Sequence, residues 1–101
     1  MSDEEQGNEQ GDRIKLAEQV ALGMEVKAFL SSRVGEYLLD RADEDRKEAL
    51  DALAEADPED AKAIRVLQNK VKVIDSVQVW LADALNEATA ADQTLTEMNQ
   101  R

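Results

Sequence analysis

The chain lacks the side chains from which most catalytic and metal sites are built. It has no Cys and no His, which excludes disulfides, zinc knuckles and cysteine nucleophiles and removes both the commonest general base and the commonest metal ligand. Its four glycines, at positions 7, 11, 23 and 35, frame no nucleophile elbow, phosphate-binding loop or dinucleotide fingerprint. We therefore expect no catalytic site, no metal site, no cofactor and no enzymatic activity.

Long hydrophobic runs are also missing. No apolar stretch reaches the roughly 18 residues that a membrane span requires. The N-terminal segment is acidic, whereas a secretory signal begins with basic residues and continues with apolar ones. Together with the absence of Cys, this predicts a soluble, cytoplasmic protein without a membrane partner.

Positive charge is scarce relative to negative charge. The 23 Asp and Glu residues against 12 Lys and Arg residues give a net charge of −11, which opposes direct binding to nucleic acids and anionic membranes. Such acidity either keeps the surface soluble or imitates the charge of a nucleic acid. Acid pairs such as Asp43 with Asp45 could bind a divalent cation, but this composition produces such spacings by itself and no calcium loop is present.

Small aliphatic side chains dominate what is present. The chain is 43% hydrophobic but only 3% aromatic, which favours packing by Leu, Val, Ile and Ala. A domain of 101 residues buries a smaller fraction of its surface than a larger domain does. We therefore expect its core to need a second copy or another protein.

Three regions follow from composition and periodicity. Residues 1–13 contain many acids and almost no apolar side chains, which predicts a disordered tail. Residues 14–88 carry apolar side chains on helical arcs and form the single predicted domain. Residues 89–101 mix Thr, Asp and Asn with spaced apolar residues and are predicted to fray.

Helix boundaries are predicted within this domain. Asp57 is expected to cap the last helix and Pro58 to occupy its first position, where its missing N–H would be unpaired anyway. Residues 14–56 form either one bent helix or two, and the serines and glycine of residues 31–35 mark a further plausible break. The predicted helices span 14–42, 43–56 and 58–88. Their short connections predict an all-α antiparallel helical hairpin of two or three long helices, completed by oligomerisation into a bundle.

The last predicted helix carries two apolar rows. The first has the spacing of a coiled-coil seam: Leu67, Val71, Ile74, Gln78, Leu81, Leu85 and Ala88. The second lies beside it: Val66, Val73, Val77, Trp80 and Ala84. Together they form a stripe wider than two helices require, so this helix is expected to contact more than one partner helix.

Two residues of this stripe have alternative interpretations. Gln78 either fixes the register of a dimer or lies at a bundle edge with its amide in water. Trp80 is either a core anchor, the favoured interpretation, or an interface hot spot.

A family resemblance is carried by a series of short motifs: Phe29-Leu30, Gly35, Tyr37-Leu38-Leu39, Asp57-Pro58-Glu59-Asp60, Ile64, Leu67-Gln68-Asn69 and Trp80-Leu81. Over about residues 22 to 85 the chain resembles small helical proteins, mostly uncharacterised, that are encoded among the structural and packaging genes of tailed bacteriophages. These motifs concern packing and capping, so the resemblance implies no active site. It implies a bacterial-host cytoplasmic setting and a role in virion assembly or as a virion component.

These observations predict a non-catalytic helical interaction protein whose partner is another protein or a second copy of itself. A competing hypothesis is an acidic inhibitor that occupies the basic groove of a host nucleic-acid enzyme, and a third is a metal-dependent enzyme that uses clustered carboxylates. The predicted interface residues are Leu67, Val71, Ile74, Val77, Gln78, Trp80, Leu81 and Leu85.

Overall fold

The computed structural model describes the backbone of residues 3–100 and the side chains of residues 9–100. Within that part the chain forms three helices and no strand: α1 (Asp3–Ser31), α2 (Arg33–Glu55) and α3 (Ala61–Asn99). The predicted all-α class is confirmed. Completion of the bundle by oligomerisation stays a prediction.

The chain divides into two compact units, whereas the sequence predicted a single domain. The first unit comprises the described residues of Met1–Phe29 and Leu81–Arg101, and the second unit is Leu30–Trp80. Helix α3 is continuous and contributes one half to each unit. The first unit contains α1 up to Phe29 and the part of α3 from Leu81 onward, and the second unit contains α2 and the part of α3 up to Trp80.

Small residues bring the two helices of the first unit together. A Cβ built on Gly23 of α1 would overlap the Cβ of Ala88 on α3, so only glycine fits the present separation. Ala91, one turn further along α3, is 3% exposed. Arg13 Nη1 donates to Asn99 Oδ1 at 3.0 Å, and this contact together with the Gly23–Ala88 approach shows that α1 and α3 run antiparallel here. The first unit is therefore held by close backbone approach.

The C-terminal region predicted to fray is helical instead, since α3 continues to Asn99. Two physical reasons account for the difference. Ala91 is buried, and Leu95 and Met98 are half-buried, so this segment gains contacts that offset the low helix propensity of its Thr, Asp and Asn residues. The Oγ1 hydroxyls of the threonines at 89, 94 and 96 donate to the carbonyl oxygens four residues earlier at 3.1, 3.0 and 2.8 Å, which satisfies these groups within the helix.

The predicted acidic tail also differs from the structure. Helix α1 begins at Asp3, so the described backbone of this segment is helical, while Met1 and Ser2 lie outside the described residues. Arg13 Nη2 lies 3.5 Å from Glu9 Oε1 one turn earlier, a spacing that supports helices. The same guanidinium also contacts α3, which links this end of α1 to a neighbouring helix.

The break between α1 and α2 lies at Ser32, not at the predicted boundary between residues 42 and 43. Ser32 has extended backbone angles, φ −79° and ψ 159°, and its Oγ accepts a hydrogen bond from the Gly35 N–H at 3.0 Å. This is N-cap geometry, which satisfies an amide that the helix itself leaves unpaired. Residues 14–56 are therefore two helices, and the moving apolar arc around Asp43 lies inside a continuous α2.

The connection between α2 and α3 is longer than predicted. Helix α2 ends at Glu55, and α3 begins at Ala61, three residues after the predicted start at Pro58. Asp57 Oδ1 accepts from the Glu59 N–H at 3.0 Å and therefore stabilises the turn. Asp60 Oδ1 accepts from the Ala63 N–H at 3.1 Å, so Asp60 is the residue that caps α3.

Candidate interaction surface

Most of the predicted interface is already half-buried inside a single copy. Six of its residues are half-buried within their own units: Leu67, Val71, Ile74, Gln78, Leu81 and Leu85. The heptad seam of α3 is therefore partly covered by the chain's own helices. A coiled-coil pattern does not distinguish a partner within the chain from a partner outside it, so the interface predicted at these residues stays a prediction.

The apolar residues that remain exposed lie one position before the seam. Trp80 is 66% exposed, Val73 64%, Val66 60% and Val77 44%. Their spacings of seven, four and three residues place all four on one face of α3. We call Val66, Val73, Val77 and Trp80 the exposed row. The interpretation of Trp80 as a core anchor is wrong, because one partner helix covers only one side of α3 in the second unit.

Two members of the exposed row were absent from the predicted interface. Val66 and Val73 belong to the second apolar row that the sequence contains, and that row was the signal that could have identified them. Position 79 provides a useful contrast. Val79 is also exposed, at 54%, but it lies on a different face of α3 from the exposed row.

Side-chain contacts fix the register of the second unit. Arg46 Nε donates to Asp75 Oδ1 at 2.7 Å, and Gln78 Nε2 donates to Asp43 Oδ1 at 3.0 Å. As numbers rise along α2 they fall along α3, so the two helices are antiparallel. Gln78 was predicted to fix a dimer register or to face water, yet its partner lies within the same chain.

The Arg46 contact is an ion pair at the surface. Both side chains are about two-fifths exposed. The hydrogen bond that Arg46 donates to Asp75 is the largest cause that raises the pKa of Arg46, and the attraction between the two charges is the second. Arg46 therefore stays cationic, and this contact responds to salt rather than to pH in the neutral range.

The second unit has faces of opposite charge. Helix α2 contains eight acidic and four basic residues, whereas the half of α3 from Ala61 to Trp80 contains four basic residues and one acid. Two pairs of charged residues are each spaced by one heptad: the acidic flank, Glu48 and Glu55 on α2, and the basic flank, Arg65 and Lys72 on α3.

The antiparallel register places the acidic and the basic flank at similar positions along the helix axis. With Arg46 level with Asp75, Glu48 lies level with Val73 and Glu55 level with Val66. Each acid of the acidic flank is therefore within one residue, about 1.5 Å of rise, of a cation of the basic flank. All four side chains are exposed, and the ion pairs found among the described residues involve none of them.

The described side chains form no constellation suited to metal chemistry. No group of three acidic side chains between residues 9 and 100 comes close enough together to hold a metal ion. A groove of about 570 Å³ in the first unit has Lys27 and Asp92 as the ionisable residues of its lining. No helix of the described part is long and apolar enough to cross a membrane.

Comparison of the chain with protein families, curated proteins and solved structures found no match.

Proposed function

We propose that this protein is a non-catalytic helical interaction protein that binds a protein partner through the exposed row of α3. The observation that carries the proposal is the exposure of Trp80, Val73 and Val66, each at 60% or more, on one face of a continuous helix. Scattered apolar residues on a surface are ordinary, but a row with heptad spacing is the pattern by which one helix recognises another.

Tryptophan strengthens this interpretation. It is enriched at binding hot spots because it combines a large apolar area with few rotatable bonds. The chain contains one tryptophan, and it lies in the exposed row. Burial of Trp80 on binding would remove the most costly apolar exposure of the second unit.

The biological setting of the proposal is virion assembly, or a place in the virion itself. Its support is the resemblance of residues 22 to 85 to helical proteins encoded among the structural and packaging genes of tailed bacteriophages. An exposed apolar helix face suits that role.

The alternative role, an inhibitor that imitates nucleic-acid charge, has less support. Two of the acids that it would use already have partners within the chain, since Asp43 accepts a hydrogen bond from Gln78 and Asp45 one from Arg41 at 3.3 Å. An inhibitor of this kind binds through many acids, so its affinity would fall steeply with added salt. Binding through the exposed row would persist in salt.

Site-specific photo-crosslinking tests the proposal. Benzoylphenylalanine is placed at position 73 in one variant and at position 79 in a second, and both are irradiated in the cells that natively produce the chain. We expect protein adducts from position 73 and none from position 79, although both valines are exposed in the single copy. Equal adduct yields at the two positions, or none at position 73, would contradict the proposal.

A further inference from the structure

We draw no further inference here: the strongest candidate, the exposed row on the second unit's half of α3, is an apolar helix face that already carries the proposed function, and nothing in the described part of the chain shows what covers it.

Discussion

The two halves of α3 belong to one continuous helix and yet meet their surroundings in different ways. The half in the first unit, from Leu81 onward, has four acids and no cation up to Asn99, and none of its large apolar side chains is exposed. The half in the second unit is basic and leaves the exposed row uncovered. Helix formation alone therefore does not determine exposure. The difference begins in the sequence, because the positions that continue the exposed row beyond Trp80 hold Ala84, Glu87 and Ala91 and no large apolar side chain.

Glycine and alanine explain the covered half. Gly23 lets α1 approach Ala88 so closely that no side chain fits between them. Close approach of two backbones brings the flanking leucines of α3 within reach of α1. In the second unit, contacts such as Arg46 with Asp75 show that α2 lies along one side of α3, and the exposed row lies on another side.

The largest effect should come from removing the close approach. Gly23→Ala forces the helices apart, because its Cβ would overlap that of Ala88, and we expect the free energy of unfolding to fall by about 1–3 kcal/mol. Gly11→Ala is the matched control, since its Cβ meets nothing within 4 Å and alanine favours the helix by up to about 1 kcal/mol. Urea unfolding followed by circular dichroism measures both. Equal stability of the two variants would contradict the close approach of α1 and α3 at Gly23.

Truncation of one residue in each half sharpens the comparison. Leu85→Ala removes a half-buried side chain of the first unit and should cost about 1–2.5 kcal/mol, roughly half the value for a fully buried leucine. Val73→Ala removes an exposed side chain of the second unit and should change stability by less than about 0.5 kcal/mol. Thermal unfolding at low protein concentration tests both. A large loss for Val73→Ala would mean that the exposed row is covered within one copy.

The beginning of α3 should respond to Asp60 more than to Asp57. Asp60→Ala removes the carboxylate that accepts from the Ala63 N–H and should cost about 1 kcal/mol. Asp57→Ala removes a turn contact to the Glu59 N–H and should cost less, because that contact lies outside the helix. Denaturant midpoints of the two variants show which aspartate contributes more to stability. A larger loss of stability for Asp57→Ala would mean that Asp57 caps α3, as the sequence alone predicted.

The smallest effect should come from the surface ion pair of the second unit. Asp75→Asn should lower the melting temperature slightly at low salt and leave it unchanged at high salt, because the pair is about two-fifths exposed and readily screened. The raised pKa of Arg46 means that this contribution is fully present across the neutral range and is lost only as strongly alkaline pH deprotonates the guanidinium. A fall in melting temperature that persists in high salt would contradict the description of this contact as a readily screened surface ion pair.

The sequence predicted several particular features well and others poorly. Periodicity identified a helical chain and the seam residues of α3, because a heptad pattern reflects local geometry. It placed the cap at Asp57 instead of Asp60 because both residues suit a helix N-terminus and only backbone geometry distinguishes them. It missed the helical C-terminal segment because the burial of Ala91 depends on a helix about 70 residues away in sequence.

What the sequence determined by itself was the helical character of the chain, its acidity, and the presence of two apolar rows on its last helix. Only the tertiary structure decided which row is covered within one copy. The physical reason is that periodicity records which side chains share a face, whereas burial depends on which distant segment packs against that face and how closely its backbone approaches. In this protein the closest approach occurs at Gly23 in the first unit, and the face left open is the exposed row in the second.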